Sequence, residues 1–188
     1  MRFSSSFCRR ALAGALVMSA AAMSATSVSA HVPARTTTAS QPSDAVASMD
    51  CPVVGEATFS DSWGDSRSGG RRHEGVDMLA PRGTPVVAAL AGFAEFKDTS
   101  AGGKSIWLTT PDGDKFFYAH LDGWEGVSRD VAQGETVGYV GSTGNAGGPH
   151  LHFEVRPGGR AVNPYPPTSA ACAVAADADR AAVTSFPR

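Results

Sequence analysis

The sequence of 188 residues lacks an excess of either charge, has only three cysteines, and holds no long helical period. Lysine and arginine total 16 against 18 acidic residues, so the formal net charge of −2 gives no reason to expect nucleic-acid or membrane-surface binding. The apolar run at residues 11–22 is too short to favour a transmembrane helix. By contrast, the 21 glycines and 12 prolines favour turns and short strands.

Residues 1–30 have the features of a secretory signal peptide. Basic residues precede the apolar run at residues 11–22, and small residues at positions 28–30 suit cleavage. Removing this segment takes away three arginines and no acidic residue, which changes the net charge from −2 to −5. We therefore expect a secreted protein with no membrane contact after cleavage. The Arg9-Arg10 pair leaves twin-arginine export open beside the general route.

Composition divides the remaining chain into three parts. Residues 31–50 are rich in Ala, Ser, Thr and Pro, which predicts a flexible lead-in. The folded domain is predicted over residues 51–172, followed at residues 173–188 by an Ala-rich tail that is either a short helix or disordered. Cys51 and Cys172 bracket the domain, and such a pair in an exported protein most often forms a disulfide. Free buried thiols and thiolate zinc ligands are the alternatives.

Six strand-like runs separated by Gly, Pro, Asn and Asp turn signals occur within the domain. They cover residues 85–90, 92–97, 105–109, 115–120, 136–140 and 150–156. Many short strands predict an all-β fold, either a sandwich or a barrel. A G-x-x-V pattern at residues 83–86 and 134–137 would also suit a carrier-like barrel, although no lysine has the exposed hairpin setting that a prosthetic group requires.

The run from His150 to Val155 carries the most chemical information. With a period of two, His150, His152 and Glu154 share one face of a strand, while apolar residues occupy the other face. Two imidazoles on one strand face are costly unless a shared metal ion satisfies their nitrogen lone pairs. Spacing alone does not decide which of His150 and His152 would bind the metal.

His73 and Asp77 form a second candidate pair, four residues apart. Gly75 between them and Pro81 after them argue against a helix, so we expect both side chains on one face of a strand. Two imidazoles and one carboxylate suit a catalytic zinc ion, Zn2+, because a catalytic site keeps its fourth position for water.

Three motifs taken together resemble the lysostaphin-type (LytM-like) zinc endopeptidases, which cut peptidoglycan peptides. The motifs are His73-x-x-x-Asp77, Tyr118-Ala119-His120-Leu121 and His150-Leu151-His152-Phe153, and the similarity covers about residues 51–167. The resemblance implies that His73, Asp77 and His152 bind zinc. It implies that His120 and His150 transfer protons and stabilise the transition state.

The same resemblance implies a small antiparallel β-fold with a groove over the sheet, peptidoglycan as the partner, and a secreted or cell-wall location. We also expect a monomer. All five family positions are occupied, which indicates an enzyme; a catalytically inactive module that binds the wall or activates another hydrolase is the alternative. Asn145, in the Gly-rich loop before the last strand, is either a substrate contact or a turn residue. Which peptide bond of peptidoglycan is cut depends on the shape of the loops around the groove, and these motifs do not specify that shape.

Overall fold

The computed structural model describes residues 44–184, so the expected signal peptide and residues 31–43 of the lead-in lie outside the described residues. The described part begins with helix α1, Asp44–Ala47, and ends with helix α2, Tyr165–Thr184. Val46 and Met49 are buried in the core, so packing already begins within the segment interpreted as lead-in. Within residues 44–184, neither helix has the length and the apolar composition that a membrane-spanning segment needs.

Nine strands lie between the two helices. They are β1 Val76–Leu79, β2 Pro85–Val87, β3 Gly92–Thr99, β4 Gly103–Thr109, β5 Lys115–Leu121, β6 Gly123–Trp124, β7 Arg129–Val131, β8 Thr136–Tyr139 and β9 His150–Arg156. A six-stranded sheet has the order β1-β9-β5-β4-β3-β7, and a three-stranded sheet has the order β2-β8-β6. Every pairing is antiparallel, which confirms the predicted fold class. Each predicted run contains a strand, and β6 and β7 were not predicted. The strand expected to carry both His73 and Asp77 begins only at Val76, so that expectation is wrong for His73, whose backbone instead bonds to Gly64 and Asp65 in the preceding loop.

Apolar alternation explains which face of the large sheet is buried. In β9, Leu151, Phe153 and Val155 are fully buried, and β5 adds Phe116 and Tyr118 opposite them. Each such side chain stabilises the fold by about 1.5–3 kcal/mol on burial. The core therefore packs against one face of the large sheet, while the other face, which carries His152, is left uncovered by the core.

Helix α2 is attached to the opposite end of the described chain by a disulfide between Cys51 and Cys172. The helix begins at Tyr165, well before the Ala-rich tail, and Tyr165 packs edge-on against Phe59 at 6.0 Å between ring centroids. The pairing that the sequence predicted is therefore present, and neither cysteine retains a thiolate that could bind a metal.

Candidate metal centre

A cleft of about 660 Å³ lies over the exposed face of the large sheet. All four histidines of the described chain contribute to its walls, together with Asp77 and Asn145. The groove expected from the family resemblance is thus present, and it contains every predicted site residue except the two cysteines.

Two neighbouring strands and one loop bring the predicted ligands together. Asp77 on β1 lies directly opposite His152 on β9 in the antiparallel register. His73 lies in the loop that leads into β1 and is almost fully buried. As a result, His73 Nε2, Asp77 Oδ1 and His152 Nδ1 form a triangle with edges of 3.0, 2.9 and 3.0 Å.

Hydrogen bonds to the other ring nitrogens determine where the lone pairs point. Nδ1 of His73 lies 2.9 Å from the carbonyl oxygen of Ser62, which only accepts, so Nδ1 carries the hydrogen. Nε2 of His152 lies 3.0 Å from Oε1 of Glu154 and donates to that carboxylate. The free lone pairs of both imidazoles therefore point at each other and at Asp77 Oδ1.

This donor set fits a metal ion. Three lone-pair atoms about 3 Å apart repel one another unless a cation or a proton lies between them. Ligands at 2.0–2.1 Å from a tetrahedral zinc ion are separated by about 3.3–3.4 Å, so the observed triangle is only a few tenths of an ångström too tight. His73, Asp77 and His152 would hold the ion, and their chemistry, two neutral nitrogens and one carboxylate, suits zinc.

Charge in the site is balanced around Asp77. Burial alone would raise the pKa of Asp77, but the neighbouring imidazoles of His152 and His73 hold that pKa far below its ordinary value. Its second oxygen, Oδ2, accepts a hydrogen bond from Arg67 at 2.7 Å. Burial opposes a charge on His152, yet the neighbouring carboxylates of Asp77 and Glu154 outweigh it and raise the pKa of His152. The carboxylate of Asp77 is therefore ionised at any working pH.

His120 and His150 form a second imidazole pair beside the triangle, with ring centroids 4.8 Å apart. Nδ1 of His120 donates to the carbonyl of Thr143 at 2.8 Å, and Nδ1 of His150 donates to the carbonyl of Gly148 at 2.9 Å. Each ring therefore keeps Nε2 for exchange of a proton with a bound molecule. Burial lowers the pKa of His120 to about 4, so its Nε2 is a free base at neutral pH.

A bulge in β5 is the reason that His120 reaches the cleft. Regular alternation would point His120 to the core side with Tyr118, but the pairing with β4 shifts between Lys104 and Ile106. His120 also has φ = 65°, the only positive φ among the non-glycine residues described. Two residues of β5 thus oppose one of β4, and the extra residue redirects the imidazole. The motif around His120 gives no reason for this orientation, because the bulge forms only when β5 pairs with β4.

Sequence reasoning missed the partners that hold the ligands. Glu154 was placed on the histidine face without a role, yet it is buried and bonded to Nε2 of His152. Its two-residue spacing from His152 was the available signal. Asn145 lines the cleft, and its N–H donates to the carbonyl of Ala101 at 3.0 Å, so both earlier interpretations of Asn145 are compatible with its position.

Comparisons with known proteins agree with this geometry. A model of peptidase family M23 matches residues 71–164, which is half of the chain. The DD-carboxypeptidase/endopeptidase Mpg of Neisseria meningitidis serogroup B is 43% identical over 95 residues, 50% of this chain and 22% of that protein. The peptidoglycan DD-endopeptidase ShyC of Vibrio cholerae is 34% identical over 96 residues, again 50% of this chain and 22% of that protein. The chain thus spans about a fifth of the length of these relatives.

The same fold occurs among solved structures. The catalytic domain of the antimicrobial peptidase lysostaphin from Staphylococcus simulans aligns with a TM-score of 0.53 and 32% identity. That alignment covers 60% of this chain and 92% of the lysostaphin domain.

Proposed function

The chain belongs to peptidase family M23, and we propose that it is a zinc-dependent endopeptidase that hydrolyses peptide bonds in peptidoglycan. One observation carries the proposal: the lone pairs of His73 Nε2, His152 Nδ1 and Asp77 Oδ1 converge within 3.0 Å inside a cleft that also holds two proton-transfer groups. The names of the relatives support peptidoglycan peptides as the substrate class.

The chain's own residues divide the chemistry between them. A bound zinc ion would supply electrophilic assistance to the scissile carbonyl and to water. His120, uncharged at neutral pH, accepts the proton of the attacking water at Nε2. His150, whose Nδ1–H is already held by Gly148, donates from Nε2 in its doubly protonated form: it hydrogen-bonds the developing oxyanion and helps to protonate the leaving amine. Because both Nδ1 atoms are held by backbone carbonyls, neither ring needs to reorient during the reaction.

Asp77 and its partners maintain the electrostatic balance. One carboxylate beside two neutral imidazoles leaves the loaded site with a net positive charge, which favours an oxyanion. Arg67 donates to Oδ2 of Asp77, which leaves Oδ1 facing the nitrogens of His73 and His152. We further propose that the protein is secreted after loss of residues 1–30, acts as a monomer, and works outside the cell or in the cell wall. The complete set of five residues supports a working enzyme over the inactive, hydrolase-activating alternative.

Single substitutions at the site test the assignment of roles. We expect Asp77→Ala and His152→Ala to lose zinc and hydrolysis together, and His120→Ala to keep zinc while losing at least about 100-fold in turnover. Asp130→Ala, which removes an exposed carboxylate on β7, is the control. Zinc content is measured by elemental analysis and turnover by mass spectrometry of digested muropeptides, whose new termini also identify the bond. Full turnover by His120→Ala would overturn the assignment, and zinc binding without any cleavage by the wild-type protein would favour the inactive module.

A further inference from the structure

We propose that Arg156 is a positioning residue that joins the two segments carrying His73 and His152, through a carboxylate next to each of them. The proposal rests on the metal site described above, and it concerns Arg156 and Glu74, which take no part in the mechanism proposed above. Arg156 ends β9, outside the triangle of ligand atoms.

The first arm of this connection reaches His152. Nε of Arg156 donates to Oε2 of Glu154 at 2.6 Å, and Oε1 of the same carboxylate accepts from Nε2 of His152 at 3.0 Å. Glu154 is only 8% exposed, so a nearby cation is needed to stabilise its charge, and the half-buried Arg156 supplies it. The guanidinium thereby holds the carboxylate in the orientation that keeps the proton of His152 on Nε2 and its lone pair on Nδ1.

The second arm reaches the loop of His73. Nη2 of Arg156 donates to Oε2 of Glu74 at 2.5 Å, across 82 positions of sequence. Glu74 directly follows His73 and is 54% exposed, and its carboxylate is bonded to Arg156 rather than to a predicted metal ligand. One guanidinium therefore connects the loop before β1 to the strand β9.

A third contact keeps the guanidinium in place. Its central carbon, Cζ, lies 5.6 Å from the ring centroid of Trp107, and Trp107 packs against Phe117 with 4.5 Å between centroids. Such stacking limits the number of rotamers that the arginine samples. A planar fork with several fixed N–H directions serves both carboxylates at once, whereas the single ammonium of a lysine cannot reproduce both directions.

The two arms make separable contributions to metal binding. Loss of Arg156 releases Glu154 and the His73 loop together, whereas loss of the Glu74 carboxylate releases only the loop. We expect Arg156→Gln to weaken zinc binding by about 10–100-fold, the range typical for partners of metal ligands. We expect Glu74→Gln to weaken it by about two- to fivefold, because that ion pair is half-exposed. Arg156→Lys should restore less than the full affinity.

The experiment measures zinc affinity by competition with a chromophoric chelator at pH 7, alongside urea unfolding of each metal-free variant. Arg129→Gln is the matched control, because Arg129 donates to Glu135 at 2.6 Å with similar partial exposure and lies on β7, outside the cleft. The double variant Arg156→Gln/Glu74→Gln should bind zinc as weakly as Arg156→Gln alone, since Glu74 acts through Arg156.

The outcomes separate this proposal from the proposed function. Zinc affinity of Arg156→Gln within twofold of wild type would overturn the role of Arg156, while the metal site itself would stand. Additive losses in the double variant would overturn the connection through Glu74. If Arg156→Gln fails to fold, the zinc affinity of the exposed Glu74→Gln variant still tests the contact between Arg156 and the His73 loop, and an unchanged affinity would overturn it. A wild-type protein that binds no zinc would instead refute the proposed function.

Discussion

Gly75 lies between His73 and Asp77, and the structure leaves no room for a side chain there. A Cβ built at Gly75 would lie 2.6 Å from Cε1 and 2.8 Å from Nε2 of His152, and 2.8 Å from the carbonyl oxygen of Phe153. The φ of Gly75 is outside the positive region, so Gly75→Ala tests space rather than backbone strain.

The size of the effect follows from these distances. Ordinary contact begins at about 3.4 Å, so either the imidazole of His152 or the loop must retreat by about 0.8 Å. Moving the ring of His152 relieves only its own two contacts, whereas the contact with the backbone oxygen of Phe153 requires the loop of His73 to shift, so either adjustment displaces a predicted ligand. Donor atoms in a metal site are held to within about 0.2 Å, and a 1 Å misplacement can cost about 100-fold in rate. We expect Gly75→Ala to lose at least about tenfold in zinc affinity.

Zinc titration and muropeptide turnover of Gly75→Ala are compared with Gly123→Ala, whose Cβ meets no atom within 4 Å. Gly123→Ala should match the wild-type protein in both assays. If Gly75→Ala also binds zinc within twofold of wild type and keeps its turnover, the placement of His152 beside Gly75 is wrong.

Three further predictions concern stability. Tyr118→Phe should lower the free energy of unfolding by about 1–3 kcal/mol in urea, because the buried phenol accepts the N–H of Ala89 at 2.8 Å; an unchanged midpoint would contradict this. Replacing Cys51 and Cys172 by serine opens a loop of 121 positions and should cost up to about 5 kcal/mol, with zinc affinity intact because neither cysteine lines the cleft. His120 has a folded pKa of about 4, below its unfolded value of about 6.5, so it destabilises the fold as pH falls from 6.5 towards 4. Metal-free His120→Asn, which tolerates the positive φ, should therefore lose less stability than wild type between pH 7 and pH 5; an equal loss would refute the burial argument.

Much of the fold could be predicted because the alternation of apolar and polar residues along a strand indicates which face is buried. In β9 the apolar face and the histidine face separate as a period of two requires, and Leu151 and Phe153 are fully buried. Strands β6 and β7 have only two and three residues, which is too short for a recognisable period. Helix α2 begins at Tyr165 rather than in the Ala-rich tail, because its start is supported by packing on Phe59 and by the disulfide, which are tertiary contacts.

In the candidate site, too, the identity of the residues could be predicted from the sequence, but their orientation could not. His73, Asp77 and His152 could be selected because imidazole and carboxylate in recognisable motifs indicate metal chemistry. The ring nitrogen that points into the triangle of donor atoms could not be predicted, because it depends on a carbonyl of Ser62 and on Glu154, and neither residue belongs to the three motifs. The orientation of His120 depends on a bulge that arises only when β5 pairs with β4.

Anomalous diffraction from crystals of the zinc-loaded protein at the zinc absorption edge tests the central claim most directly. We predict one peak about 2.0–2.2 Å from His73 Nε2, Asp77 Oδ1 and His152 Nδ1, with His120 and His150 beside it but not bound to it. A peak coordinated by His150, or by Nε2 of His152, or the absence of any peak in the cleft of the fully loaded protein, would contradict the account.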